Sequence, residues 1–442
     1  MSRAVFLRGS TMGHVLRMTG ASTVGLLAMF GVDLVDMYFL TLLGERELAA
    51  AVGFAGTLLF FLVSVSIGLQ IATGALVARS EGNNNRELAG RYCSSSLFFN
   101  GAVSVLISAL AFCYLEELLH LLGASGLTLE YALDYARIVI PNMPVLVLGM
   151  SAAAATRAIG DARRALWAML AGSIVNAVLD PILIFGLGLG VEGAALASAA
   201  SRIVSLAWAW HAVYYVHHLP RLVTLREVYQ DLAPILQIGG PAMLTNIATP
   251  IGSSFVLKMM SQFGDGAVAG AAIIARVSPV AFAAIFSLSS AVGPIIGQNA
   301  GAQHFDRVRG TVRDAMIFNG AYVAVIWLAL WLLTDVLVNV FSAGPEAAEL
   351  MRFFCHVLVG CFVFNGMLFV ANASFNNLGK PAWATVFNFA RALLGTIPCA
   401  YFGAQWFGAK GVLAGEAVGV VLFGVLALVA VHYLVAEQEA HS

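Results

Sequence analysis

Twelve long apolar runs, separated by short polar clusters, follow one another along the chain, and no soluble fold accommodates such a succession. They fall at about 15–43, 47–78, 92–115, 132–156, 163–188, 191–216, 235–262, 267–298, 314–336, 350–377, 382–405 and 409–434. Each is long enough for the roughly 20 residues that cross a bilayer core. A segment in hydrocarbon must close its backbone hydrogen bonds internally, so each run reads as a helix. The 442 residues are 60% hydrophobic and only 11% charged, against about 25% charged in a soluble domain. The expected fold is therefore an all-α polytopic membrane protein with twelve transmembrane helices. A net charge of −1 offers no basic face to a nucleic acid. Cys93, Cys113, Cys355, Cys361 and Cys399 lie inside apolar runs without C-x-x-C spacing; they read as packing residues, not as disulfides or zinc ligands.

Basic residues orient the spans. Arg3, Arg8 and Arg17 precede or enter the first run, which is too long for a signal-peptide core and lacks a cleavage site, so it reads as an uncleaved span. Even-numbered connections hold Arg79, Arg86 and Arg91, then Arg157, Arg163 and Arg164, then Arg221 and Arg226, then Arg307, Arg309 and Arg313, then Lys380; odd-numbered ones hold Arg46 and Lys410. Both termini are thereby expected in the cytoplasm of a plasma (inner) membrane protein.

The chain also repeats itself. Gly160 and Gly379, Gly74 and Gly293, and Asn100 and Asn319 each stand 219 residues apart; Gly44 and Gly264 stand 220 apart, and Gly193 and Gly411 stand 218 apart. Offsets this constant describe two six-helix lobes, residues 1–216 and 235–442, joined by a solvated amphipathic linker at 217–234. Six is even, so the repeat is parallel, about an axis along the membrane normal, as in many transporters.

Carboxylates at the bilayer centre cost about 3 kcal/mol, so acids that persist there normally serve ions or protons. The candidates are Asp33, Asp36, Asp180 and Glu416. Asp33 and Asp36 share a face of the first helix, and Asn176 stacks one turn before Asp180 on the fifth. Their second-half equivalents are Ser253, Val256, Leu394 and Pro398; only the first lobe keeps the acids, which favours a coupling role for Asp36 and Asp180. Two such acids can exchange a proton or hold a sodium ion jointly, with Asn176 and Ser198 as neutral donors; no other metal is expected. Arg202, Lys258, Arg276 and Arg391 also lie within spans, as partners of buried acids, snorkelling side chains or members of a cavity network. Prolines 141, 144, 181, 241, 250, 279, 294 and 398 mark places where helices can bend.

Other motifs fail on context. Gly188, Gly190 and Gly193 spell G-x-G-x-x-G, but they join two apolar helices, not a strand and a helix. Asp33 and Asp36 form half of a prenyltransferase D-x-x-D motif, without the second half. The adjacent Cys355 and His356 lack metal-ligand spacing, and no nucleophile is arranged with a base, so an enzyme is not expected.

The runs VDMYFLTLLG at 35–44, RAIGD at 157–161, NAVLDPILIFGLGLGVEGAALAS at 176–198 and GQNAGA at 297–302 resemble the multidrug and toxic compound extrusion (MATE) family over nearly the whole chain. The resemblance implies a two-lobed antiporter that expels organic, often cationic, compounds or amphiphiles while protons or sodium ions flow inward. In the prokaryotic branch related to the DNA-damage-inducible protein F, it implies a first-lobe cation site at Asp36, Asn176, Asp180, Ser198 and Tyr135. The other main bacterial branch uses a glutamate in the seventh helix, and 235–262 contains none. Two departures stand out: Ala21 replaces a first-helix proline, although Pro241 occupies the repeat-equivalent position, and Ala153 replaces an asparagine that the second half keeps as Asn372.

The expected function is secondary active efflux, carried out by a monomer in the lipid bilayer with no cofactor besides the coupling ion, H+ or Na+. Alternatives are a flippase for a lipid-linked sugar, in which Arg202, Arg276 and Lys258 hold a pyrophosphate, and, more remotely, a polytopic membrane enzyme acting on isoprenoids, disfavoured by the missing second acidic motif, or a channel.

Overall fold

The computed structural model describes residues 4–42 and 46–440, without the side chains of Met37, Leu40, Thr41, Arg46, Glu47 and Ala49. Arg3, Gly44 and the Arg46 side chain, used in the orientation and repeat arguments, lie outside the described residues. Among those residues all regular structure is helical.

The helical passages are α1 (Thr11–Leu42), α2 (Arg46–Gly82), α3 (Arg86–Cys113), α4 (Gly126–Val139 and Met143–Ala158), α5 (Ala162–Gly186), α6 (Gly190–Trp210, continued by a π-helical His211–Val216), α7 (Leu225–Met260), α8 (Asp265–Ala281 and Ala283–Gly301), α9 (Phe305–Val340) and α10 (Pro345–Asn377). The last, Pro381–Ala440, runs 60 residues, too long for one crossing. Gly408, at φ +62°, divides it into α11 (381–407) and α12 (409–440). Among the described residues, seven of these stretches are long and apolar enough to cross a membrane, and nine if each bent pair counts as one span; α6 and α7 fall short.

Proline sets the bends. The α4 limbs meet at 51° beside Pro141, and those of α8 at 47° just after Pro279. Pro181 ends the regular part of α5, which closes in a π-helical turn at Ile182–Gly186.

The chain divides into two compact units, Met1–Val5 with Val24–Met243, and Phe6–Thr23 with Leu244–Ser442. This differs from a division at the 217–234 connection. Residues 6–23 join the second unit through long-range hydrogen bonds: Gln298 Oε1 accepts from the Phe6 amide at 3.0 Å, and Arg307 donates to the carbonyls of Phe6 and Gly9 at 2.8 and 3.0 Å. In the first unit, α7 starts inside the connection, at Leu225. Asp231 is not solvated but 3% exposed, accepting from Arg91 Nε at 3.0 Å and Ser95 Oγ at 2.6 Å. The unit boundaries cut α1 after Thr23 and α7 after Met243, 220 residues apart, so the two repeat-equivalent helices are divided at equivalent points.

The repeated residues carry equivalent structural tasks within each unit. Asn100 is fully buried and donates to Ser151 of α4 at 2.9 Å, while the fully buried Asn319 donates to the Val363 carbonyl of α10 at 2.8 Å. Gly160 and Gly379 end α4 and α10 at φ +99° and +80°, a left-handed conformation that glycine adopts without penalty.

Candidate functional site

The acids cluster in the first unit. Asp180 occupies the last regular turn of α5 and is fully buried, and the half-buried Asp36 of α1 lies within interaction range of its side chain. Asn176, one turn earlier, donates from Nδ2 to Asp180 Oδ2 at 3.3 Å. An ionised carboxylate only accepts, so two carboxyls can hydrogen-bond to each other only when one of them carries a proton. Each also keeps one buried oxygen, Asp36 Oδ1 and Asp180 Oδ1, with no hydrogen-bond partner. Buried acceptors of this kind are normally satisfied. These two oxygens are a ready place for a proton or a small hard cation. No group of three or more His, Cys, Asp or Glu suited to a metal occurs among the described residues; the three-residue set here is two acids and one amide, chemistry that suits sodium better than a transition metal.

Aromatic side chains of the same two helices meet nearby in sequence. Phe39, three residues after Asp36, meets Phe185 edge-on at 5.9 Å, and both stand beside Ile184, which is 1% exposed. The π-helical turn after Asp180 positions Ile184 and Phe185 for this contact.

Tyr135 of α4 and Ser198 of α6 are neighbours, with Asp36 and Asp33 within electrostatic range of the tyrosine. Asp33 is exposed, one turn before Asp36. Arg202 donates from Nη1 to the Val139 carbonyl at 3.1 Å, at the α4 bend. That bond ties α6 to a carbonyl at the helix break, a positioning task that leaves Arg202 partly engaged by backbone.

The other sequence candidates belong to the second unit. Lys258 and Arg276 are exposed and make no ion pair among the described residues. Glu416 of α12 interacts electrostatically with Arg391 of α11, whose Nη2 donates to Thr249 Oγ1 at 3.2 Å. Sequence reasoning missed the amide pair beside it, in which Asn388 donates to Asn372 Oδ1 at 2.9 Å. Both are under 9% exposed, and they lie 16 residues apart on different helices, a spacing without periodic signal. In the first unit Ala153 takes the equivalent place, inside an all-apolar cluster with Ala152, Ala155 and Ala168.

The G-x-G-x-x-G run has a structural task. Gly188 and Gly190, at φ +66° and +54°, turn the chain from α5 into α6, and Gly193 lets α6 lie against the backbone of Leu183 and Ile184.

The MatE family matches residues 21–182 and again residues 241–402, two copies beginning 220 apart. This chain belongs to the MATE family. MATE proteins are membrane transporters, not enzymes. The chain is 27% identical over 429 residues to a FAD transporter of Shewanella oneidensis, a match covering 95% of this chain and 94% of that protein. It is 24% identical over 424 residues to the multidrug export protein MepA of Staphylococcus haemolyticus, covering 93% and 91%. Among solved structures it resembles a mutant of the Vibrio cholerae MATE transporter VcmN, with a TM-score of 0.92, 25% identity and 97% coverage of both chains. An outward-facing multidrug resistance MATE transporter of the MOP superfamily shares the fold at a TM-score of 0.93 and 22% identity, over 100% of this chain and 99% of that one. In this MATE chain α1 runs unbroken through Ala21.

Proposed function

We propose that this chain is a secondary antiporter of the plasma (inner) membrane, exporting organic and in the first instance cationic compounds in exchange for protons or sodium ions. It works as a monomer, needs no cofactor beyond the coupling ion, and keeps both termini in the cytoplasm. The observation that carries this reading is the closely placed pair Asp36 and Asp180, each with a buried oxygen that no hydrogen bond satisfies. Entry of a cation there neutralises charge between α1 and α5; a substrate and a coupling ion that favour different states of those helices exclude one another, and differential binding is all that exchange requires. The positive-inside pattern supports the orientation. Kinship with MepA supports a multidrug substrate range, and the higher identity to the FAD transporter favours a second reading in which the substrate is a flavin nucleotide.

Reconstituted vesicles with an imposed proton or sodium gradient, loaded with a fluorescent organic cation or with FAD, test the proposal. Asp180→Asn keeps the hydrogen bond from Asn176, because the amide oxygen still accepts, so stability changes by about 1 kcal/mol or less. Export by Asp36→Asn and by Asp180→Asn should nevertheless fall to background. Gradient-driven export at the wild-type rate by both variants overturns the coupling role.

A further inference from the structure

Among the charged candidates singled out in the sequence, acids predominate in one unit and bases in the other. The first unit holds the acids Asp33, Asp36 and Asp180 and the base Arg202; the second holds the bases Lys258, Arg276 and Arg391 and the acid Glu416. Coupling through the acid pair leaves the second unit's bases without a task, and Arg391 has the most demanding setting. It stands ten residues into α11, about 15 Å along the helix and so near the middle of a hydrocarbon layer about 30 Å thick. A cation there costs about 3 kcal/mol unless it is used. Its guanidinium has five N–H donors, yet the bond to Thr249 is the one hydrogen bond it makes among the described residues, and Nε is buried with no partner. Glu416 attracts it without forming a direct ion pair. Asn388, one turn earlier, is committed to Asn372 and to the Ala384 carbonyl, so it does not complete the set. At Arg391 the helix also opens into a π-helical turn that runs to Thr396, a distortion frequent at functional sites.

We propose that Arg391, with the Thr249 hydroxyl beside it, binds an oxyanion of the transported molecule, a phosphate or carboxylate group, and that Glu416 holds the guanidinium ready when no substrate is bound. This rests on the export reading and names a group that the substrate carries. The planar guanidinium fork takes two oxygens of such a group at once, which an ammonium does not reproduce. An anionic lipid headgroup offers the same chemistry, so the test must separate the two sources.

FMN and riboflavin share one ring system and differ by a phosphate. Their binding to the purified protein in neutral detergent, followed by flavin fluorescence, isolates the anion. Wild type should bind FMN at least tenfold more tightly than riboflavin, Arg391→Gln should erase that difference while leaving riboflavin binding unchanged, and Arg391→Lys should restore part of it. Where Arg391→Gln does not fold, Thr249→Val carries the test, lowering affinity for FMN alone. Equal binding of FMN and riboflavin by wild type, or an equal loss of both in Arg391→Gln, overturns the proposal. So does phosphatidylglycerol that displaces FMN from wild type at trace amounts, which assigns the site to a lipid headgroup. Gradient-driven export of a fluorescent organic cation, measured on the same preparation, reports separately on the export reading.

Discussion

Gly193→Ala tests the packing on which the acid site depends. A Cβ at 193 would stand 2.8 Å from the carbonyl carbon and oxygen of Leu183 and 2.9 Å from the Ile184 amide nitrogen, where ordinary contact begins at 3.4 Å. Every one of these atoms is backbone, in or next to the turn that follows Asp180, so no rotamer change relieves the overlap. The two helices must part by about 0.6 Å, the difference between those distances. Ile184 and Ala194 are 1% and 3% exposed and touch Phe39, Val52 and Tyr135, so the separation opens a packed cluster, at about 1–3 kcal/mol. Ser198 lies five residues further along α6, about 7.5 Å, and moves with the helix. Thermal unfolding of the purified variant should therefore begin well below wild type, and vesicle export should fall with it. Gly320→Ala is the control: a Cβ there meets nothing within 4 Å, and alanine in a helix interior is favoured over glycine by up to about 1 kcal/mol. A Gly193→Ala protein as stable as wild type, with Gly320→Ala behaving as expected, would refute the close approach of α5 and α6.

Two further expectations concern the helix ends. Asp161 caps α5, accepting from the Arg164 amide at 3.0 Å, from Arg164 Nη1 at 2.6 Å and from His217 Nε2 at 2.8 Å. Burial pushes its carboxyl up, but the hydrogen bonds from His217 and Arg164 pull it further down, to a net position well below the usual carboxylate range. A depressed pKa contributes stability above the ordinary value of about 3.9 and loses it as pH falls through the folded value. Hydrogen exchange at residues 162–165, corrected for intrinsic rates, should stay constant from pH 7 to 5 and quicken only in stronger acid, whereas Asp161→Ala should quicken it at pH 7 by about 1 kcal/mol; quickening of wild type already at pH 5 contradicts this. Cys113 is exposed at the end of α3 and Cys93 is buried within it. In single-cysteine variants of intact cells, a membrane-impermeant maleimide should label Cys113 and spare Cys93, and labelling of Cys113 only after permeabilisation would invert the proposed orientation.

What the sequence discloses is what duplication or local spacing encodes. Gly160 and Gly379 recur because both lobes need a left-handed residue at the same helix end, and Asn100 and Asn319 recur because both tie a third helix to a fourth. Asn176 and Asp180 are legible because four residues make one helical turn. The division of α1 is not legible, since it rests on bonds such as that from Phe6 to Gln298, 292 residues apart, which leave no periodic trace. Nor is the acceptor of Arg202: the sequence marks a cation and a proline, but only the bent α4 brings the Val139 carbonyl to the guanidinium. The Asn372–Asn388 pair is hidden for the same reason, since neither residue signals the other along the chain.

Comparison of the two units separates frame from chemistry. Residues that are copied at 218 to 220 positions serve backbone geometry and buried hydrogen bonds, requirements that any two-lobed bundle of this design must meet twice. Residues that are not copied carry charge: Asp36 and Asp180 have Val256 and Pro398 as their counterparts, and Arg391 lies at a level of α11 where α5 offers Gly172 or Ser173. An ionised side chain in hydrocarbon costs about 3 kcal/mol, and unlike Arg202, which ties α6 to the Val139 carbonyl, these charges have no copied structural task. The two proposals together give the unmatched charges ligands of opposite sign, a cation against α1 and α5 and an oxyanion against α7 and α11. Neutralising either set should leave the fold intact and remove one binding partner only, a separation that symmetric structural polar contacts would not produce.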